Sequence, residues 1–286
     1  MEQWIGEENS RLGVALKFHL KKIVHEESSE YFDIIIAETQ PIGKILLFRE
    51  NDDITIQTAE KFDFYDEMIA HVPLTAHPNP RRILIIGGGD GVVLREVLKY
   101  DSVKKVIIVE IDKSVIETSK KYLRLDEGAF DDPRVEIVIE DAAQYLRKAD
   151  FKFDVIIGDY SDPYKDTAAG SLISKEFYRN VKKVMRPDSI AVFQAGSPLF
   201  QREIFLRIYR YLKQLFRIVK PFWTIVPYYP GGMWIFLTAS DRRDASEPLR
   251  QPPTNTIFYN TEVHKYAFVL PEIIRKLVEQ GDADGA

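Results

Sequence analysis

Four short apolar runs in this chain end on carboxylates. Residues 83–87 lead into Gly87-Gly88-Gly89-Asp90-Gly91, and residues 106–110 end on Glu110. Residues 135–139 run into Glu140-Asp141-Ala142, and residues 155–158 into Asp159-Tyr160-Ser161-Asp162-Pro163. Short, continuous apolar runs read as parallel strands buried on both faces. In an open parallel sheet the carboxyl ends of successive strands line one crevice. Asp90, Glu110, Asp141 and Asp159 therefore converge on one mouth, with Asp162 one turn beyond. Carboxylates gathered in this way repel one another unless a cation offsets them. Asp141 taken alone reads equally well as a helix N-cap. The set as a whole asks for a polycationic ligand.

The glycine turn sharpens the chemistry. Gly87 and Gly89 let the backbone bend tightly and approach a ligand closely. A pyrophosphate is disfavoured there, because Asp90 puts a carboxylate where the phosphate would sit. Glu110 lies ~20 residues on, at the end of the next strand, where an acid accepts hydrogen bonds from a ribose diol. The pair reads as a nucleoside site without phosphates. A sulfonium nucleoside such as S-adenosylmethionine, or its decarboxylated form, fits, its positive sulfur beside Asp90.

The elements that position these groups follow from the pattern. Runs at 15–24, 31–39, 44–48 and 54–57 read as strands of a small antiparallel sheet separated by polar turns. Residues 64–72 have helical periodicity that stops at Pro73. Strands at 83–87, 106–110, 135–139, 155–158 and 190–194 then alternate with helices at 92–99, 114–123, 142–147, 175–184 and 201–215. Residues 223–239 read as a terminal hairpin and 268–279 as a final helix. The fold class is α/β: a doubly wound, Rossmann-like sheet of the methyltransferase type, mostly parallel, with a small N-terminal antiparallel β domain. The domains are residues 1–60 and residues 61–286, the second ending in the C-terminal helix.

Composition narrows the function classes. The 286 residues contain no cysteine, which excludes disulfides, thiolate catalysis and cysteine-based metal sites. The net charge is -5, from 39 basic and 44 acidic residues, so the basic excess of a nucleic-acid binder is missing. No apolar run approaches the ~18 residues that would span a bilayer, and the acidic MEQWIGEENS start does not read as a signal peptide. These features suit a cytoplasmic protein with no membrane or nucleic-acid partner and no metal. His71 and His264 read as structural, since neither has a second ligand at metal-binding spacing.

The residues resemble the polyamine aminopropyltransferases, the spermidine and thermospermine synthases. The matching segments are IQTAEKFDFYDEMIAHVPL (56–74), ILIIGGGDG (83–91), VIIVEID (106–112), FDDPRVEIVIEDA (130–142), FDVIIGDYSDP (153–163), SKEFY (174–178), VPYYPGG (226–232) and FYNTEVHKYAFVLPE (258–272). The resemblance implies decarboxylated S-adenosylmethionine as a co-substrate rather than a cofactor, no other cofactor, and methylthioadenosine plus a longer polyamine as products. It also implies a homodimer or homotetramer; the N-terminal sheet has edges that would pair with another subunit. It assigns the donor amine to Asp90, the ribose to Glu110, the adenine to Asp141 and Ala142, and the general base to Asp159. It gives Asp162 an acceptor ammonium, lines the acceptor channel with Tyr65 and Tyr229, and puts Gln57 near the reacting amine. Tyr160, Trp223, Tyr228 and Trp234 are further candidates for the apolar walls.

Three departures from the family pattern stand out. Phe32 precedes Asp33 where a Gln is frequent, Tyr65-Asp66-Glu67 replaces Tyr-His-Glu, and the loop after Pro163 is about two residues longer than in spermidine synthases. The longer loop and the extra carboxylate of Asp66 lead to spermidine as the expected acceptor, with a thermospermine-type product and a diamine or agmatine as further acceptors. A putrescine- or agmatine-specific spermidine synthase is the alternative. A methyltransferase is the nearest rival, but its donor carries a carboxylate that Asp90 would repel. An NAD-dependent oxidoreductase conflicts with Asp90 in the phosphate turn. A polyamine-binding module without catalysis has no use for a base at Asp159.

Overall fold

A computed structural model describes residues 3–283. Five antiparallel strands come first: β1 (Trp4–Asn9), β2 (Val14–Ser28), β3 (Asp33–Thr39), β4 (Gly43–Glu50) and β5 (Asp53–Ala59). They form a closed barrel in sequence order, completed where Glu8 of β1 meets Ile54 of β5. The sequence led to four strands and an open sheet; β1 is the addition. Its buried positions are Gly6, Glu7 and Asn9, so it carries no apolar alternation. Closure pairs the edges that had been expected to be free for another subunit.

Helix α1 (Phe64–Ala76) joins the barrel to the second part of the chain. It runs through Pro73, one turn further than the sequence pattern implied. Pro73 supplies no N–H to the preceding turn. Burial of every residue from Tyr65 to Ala76 offsets that loss, and Thr75 Oγ1 donates to the His71 carbonyl at 2.8 Å.

The rest is a seven-stranded sheet in the order β11-β12-β10-β9-β6-β7-β8. Strands β6 (Arg82–Gly87), β7 (Lys105–Glu110), β8 (Val135–Ile139), β9 (Phe153–Asp159) and β10 (Met185–Gln194) are parallel. Strands β11 (Ile218–Ile225) and β12 (Met233–Ser240) add an antiparallel hairpin. The connecting helices are α2 (Val92–Leu98), α3 (Lys113–Thr118, extended by a π turn through Leu123), α4 (Ala142–Lys148), α5 (Lys175–Lys183) and α6 (Arg202–Leu215). The expected final helix at 268–279 is two helices, α7 (Thr261–Ala267) and α8 (Glu272–Ala283), divided at Pro271.

Alternate residues of the buried strands feed two cores. Ile83, Ile85, Ile108 and Ile157 pack with α1, α2 and the barrel residues Ile35, Ile45 and Leu47. Leu84, Ile86, Ile107 and Ile156 pack with α4, α5, α6 and α8 on the other face. The first core holds the barrel against the sheet, so a cleft forms between them above the carboxyl ends of β6, β7 and β9. The order of the sheet reverses at β6, which is where such crevices bind ligands. Among the described residues no helix is long and apolar enough to cross a membrane.

Candidate active site

The cleft encloses about 1130 Å³ including its open mouth. Its floor is the β6–α2 turn. Gly87 has φ +81°, and a Cβ there would lie 2.0 Å from the Asp159 carbonyl oxygen. A Cβ on Gly89 would lie 2.8 Å from Glu110 Oε2. Glycine is required at Gly87, where the backbone end of β9 presses against a turn of positive φ, while a side chain at Gly89 would displace the Glu110 carboxylate and Val115. The Gly88 N–H donates to the Asp159 carbonyl at 2.8 Å, fixing the two loops together.

Each expected donor-site residue lies on the cleft wall: Gly87, Gly89, Asp90, Glu110, Asp141 and Ala142. Asp90 Oδ1 accepts from the Val92 N–H at 2.8 Å, and burial pushes its carboxyl up to about 6. Glu110 Oε1 accepts from the Asp112 N–H at 3.1 Å, yet burial holds this carboxyl near 7. Asp141 caps α4 by accepting from the Gln144 N–H at 2.7 Å, so capping and cleft lining coincide in one residue.

Asp159 sits at the centre. Tyr65 Oη donates to its Oδ1 at 3.0 Å. Burial, then the neighbouring Asp90, push its carboxyl up to about 8 against the lowering effect of that bond. A group with this value is poised to take or release a proton near neutral pH. Asp162 accepts from Gln201 Nε2, and burial raises it to about 6.

The aromatic wall is partly as expected. Tyr65 and Tyr229 meet edge to face at 5.9 Å, and Tyr229 and Trp234 lie 4.6 Å apart. Tyr229 Oη donates to the Gln57 carbonyl at 2.7 Å, while the Gln57 amide donates to Thr55 Oγ1 at 2.7 Å; all of these residues except Thr55 were expected at the site. Tyr160 also lines the cleft. Trp223 and Tyr228 lie outside the wall: Trp223 Nε1 donates to the Val269 carbonyl at 3.0 Å, and Tyr228 is fully buried behind Tyr229.

Asp66 was expected at the acceptor end. It follows Tyr65 on α1 but lies outside the cleft wall, 2 % exposed, and its Oδ2 has no hydrogen-bond partner among the described residues. It sits behind that wall, where burial and the nearby charges of Asp90 and Asp159 raise its carboxyl well above the usual range. His71 and His264 are held inside the core. His71 contacts Glu96 and Tyr100 at 2.9 Å each, and His264 contacts Tyr259 at 2.6 Å and the Ala245 carbonyl at 2.8 Å.

The sequence reading missed Glu7. It reaches the cleft from β1, accepts from the Ile56 N–H at 2.9 Å, and is raised to about 8 by burial and by Asp162. It also missed the apolar wall of Phe32, Leu46 and Phe48, where Phe32 and Phe48 stack at 4.0 Å. The period of two along the strand read at 44–48 puts Leu46 and Phe48 on one face and could have indicated that wall; no comparable signal marks Glu7. With Glu7 and Glu140 added to the five carboxylates read from sequence, seven line the cleft, and among the described residues no basic side chain does.

A family model described as "Spermine/spermidine synthase domain" matches residues 62–247, and one described as "Spermidine synthase tetramerisation domain" matches residues 3–60. The chain is 41% identical over 269 residues to a polyamine aminopropyltransferase of Moorella thermoacetica, covering 93% of each. It is 38% identical over 282 residues to the polyamine aminopropyltransferase of Bacillus subtilis, covering 97% of this chain and 99% of that one. A spermidine synthase solved with the transition-state analogue AdoDATO superimposes with a TM-score of 0.90 at 37% identity, over 97% of this chain and 95% of the other. The spermidine synthase of Thermotoga maritima superimposes with a TM-score of 0.88 at 36% identity, over 97% and 94%. With both parts of the chain matched and the carboxylate cleft between them, this protein belongs to the spermine/spermidine synthase family of polyamine aminopropyltransferases.

Proposed function

We propose that this enzyme transfers the aminopropyl group of decarboxylated S-adenosylmethionine to the primary amine of a diamine, releasing methylthioadenosine. The observation that carries the reading is the cleft wall, with seven carboxylates and no basic side chain around a carboxyl raised to about 8. The two substrates between them bring a sulfonium and several ammonium groups, which is the charge this wall lacks.

The chemistry follows from what must change. The sulfonium departs as a neutral thioether and needs no proton. The acceptor amine does need help, because a primary amine titrates near ~10 and is mostly ammonium at neutral pH. Asp159 takes that proton as the nitrogen lone pair attacks the methylene bound to sulfur; the C–N bond forms as the C–S bond breaks. Tyr65 fixes the Asp159 carboxyl through the 3.0 Å bond, so the base is oriented before substrate arrives. Asp90 takes the donor amine, Glu110 the ribose, and Asp141 with Ala142 the adenine. Tyr229, Tyr65 and Trp234 offer ring faces to the methylene-spaced cations and exclude water.

A diamine acceptor is favoured over spermidine by two placements. Asp66, half of the case for a triamine, lies outside the wall. The lengthened loop, the other half, carries Ala169, Ser171 and Leu172 to α4, where Ser171 Oγ donates to Asp141 Oδ2 at 3.4 Å, so its far end borders the adenine site and does not extend the acceptor end. Glu7 with Asp162 remains at that end to hold a distal ammonium. We further infer a cytoplasmic homo-oligomer with no cofactor beyond its co-substrate; the match of the barrel to a tetramerisation domain supports a tetramer over a dimer. The test is an acceptor panel of putrescine, cadaverine, agmatine and spermidine, each with the decarboxylated donor and, separately, with S-adenosylmethionine. Efficient turnover of putrescine is expected. Spermidine turned over with putrescine inert would reverse the acceptor, and methyl transfer from S-adenosylmethionine would reverse the reaction class.

A further inference from the structure

The β1–β2 turn lies beside the acceptor end of the cleft, and it carries Arg11. The guanidinium of Arg11 forks onto the Asp166 carboxylate, with Nη1 to Oδ1 at 2.8 Å and Nη2 to Oδ2. Its Nε donates to Asp53 Oδ2 at 3.3 Å, and Asp53 Oδ1 in turn accepts from the Ser10 N–H at 2.6 Å. The guanidinium plane lies over the Tyr164 ring, 4.8 Å from its centroid. Asp166 and Tyr164 belong to the segment 163–172 that follows Asp162, whereas Arg11 and Asp53 belong to the barrel. A second tie runs from the Ala168 N–H to Glu50 Oε1 at 2.9 Å, again from segment to barrel.

This assembly connects to the acceptor site through two bonds. Gln201 Nε2 donates both to Asp162 Oδ2 and to Tyr164 Oη, the latter at 3.1 Å. A path of contacts thus runs from the acceptor carboxylate through Gln201 and Tyr164 to Arg11. Leu12, the residue after Arg11, lines the cleft, and so do Ala168, Ala169 and Leu172 from the pinned segment. The arginine therefore sits one layer outside the wall, tied through Tyr164 and Gln201 to the Asp162 end of the cleft.

We propose that Arg11 is a positioning residue that sets acceptor length: it pins Tyr164 and Asp166 beside Asp162 at the acceptor end of the cleft and so restricts the acceptor to short diamines. The inference rests on the diamine reading above and deepens it. Arginine suits the task better than lysine, because only a planar fork can pair in two parallel bonds and stack on a ring at once. Release of the fork would also uncover Asp53 and Asp166 at the open end, two carboxylates that match the additional ammonium of a longer amine. Exposed ion pairs shift an equilibrium by about fivefold at most, and a tie of that strength suits a segment that must also admit substrate.

The test uses the full-length enzyme and its Arg11→Ala, Arg11→Lys and Asp166→Asn variants, with kcat and KM measured for putrescine and for spermidine. In Arg11→Ala the ratio of kcat/KM for spermidine to that for putrescine should rise by up to about fivefold, through KM. Arg11→Lys should keep most of that rise, and Asp166→Asn should move the ratio the same way by a smaller factor. Methylthioadenosine affinity should stay unchanged in all three. General destabilisation would lower turnover of both acceptors together and leave their ratio alone, so the ratio separates the two roles. Asp166 is an exposed loop residue, so its variant carries the test if Arg11→Ala does not fold. Ratios within twofold of the parent in the variants that fold would overturn the inference while the diamine reading stands. A parent enzyme that transfers no aminopropyl group to any amine would overturn that reading, and this inference with it.

Discussion

Six residues apart on α1, Tyr65 and His71 each reach a buried carboxylate, and the two carboxylates are treated in opposite ways. Glu96, fully buried, is contacted by His71 at 2.9 Å, Lys99 at 2.6 Å and Arg95 at 2.9 Å. Burial alone would raise it, but these partners overcome burial and bring it down to about 2. Asp159 has a single neutral donor, Tyr65, and faces Asp90 and Glu110, so it rises to about 8. The protein thus has the means to neutralise a buried acid and withholds them at the cleft. Charges that hold the fold are partnered within the chain; charges that do chemistry wait for a partner from outside.

Replacement of the waiting base tests that contrast most severely. Asp159→Asn keeps the shape and the Tyr65 contact but removes the proton acceptor. Turnover should fall by ~10²–10⁴, with methylthioadenosine affinity unchanged by calorimetry. Near-parent turnover would take Asp159 out of the base role. The partnered acid should behave in the reverse manner. Glu96→Gln leaves His71 and Lys99 without their anion and Arg95 with Asp63 and Glu127 alone, and should cost about 3 kcal/mol of stability, read from denaturant melts. Its kcat/KM at a temperature well below the transition should hardly change. Glu110→Gln should weaken methylthioadenosine binding about tenfold to a hundredfold by removing a charge-assisted acceptor from the ribose. Unchanged affinity there would remove Glu110 from the nucleoside site.

The same contrast explains what could be read from the sequence. Asp90, Glu110 and Asp159 were legible because each follows an apolar run long enough to be a buried strand, and sheet topology then brings strand ends together. Glu7 was not legible. Its strand buries Gly6, Glu7 and Asn9, and the reason for burying them is the cleft, which exists only once the barrel has closed against α1. Asp66 was read from its place in the Tyr65-Asp66-Glu67 motif; the helix sets its carboxyl behind the wall, within reach of Asp90 and Asp159 but outside the lining, a distinction no motif encodes. The helix ends at Pro73 and Pro271 erred in opposite directions, one proline being absorbed by a wholly buried helix and the other dividing α7 from α8.

Stability against pH gives a smaller effect of definite sign. The cleft carboxyls have ordinary values of 3.8 or 4.5 and rise to about 8 for Asp159 and Glu7, about 7 for Glu110, and about 6 for Asp90 and Asp162. Between those limits the folded state binds more protons than the unfolded chain, so stability falls as pH rises. The free enzyme should lose ~4 °C or more in Tm between pH 5 and pH 8. Putrescine with methylthioadenosine should restore stability most at the alkaline end, where the carboxylates are ionised and need cations. A Tm of the free enzyme that rises over this interval would mean that the cleft acids are partnered after all.

Asp66 provides the finest discrimination, because it is an unpartnered acid that the cleft does not use. Burial, then Asp90, raise its carboxyl well above the ordinary range, which favours its protonated form. Asparagine copies a neutral carboxyl closely in size and shape. Asp66→Asn should therefore change stability by less than ~1 kcal/mol and leave the KM for putrescine within about threefold of the parent. The division drawn here between waiting and partnered acids would then have a third class, an acid kept neutral behind the site. A tenfold rise in acceptor KM would instead return Asp66 to the acceptor site. It would mean that α1 turns on binding to present the residue after Tyr65 as well as Tyr65 itself.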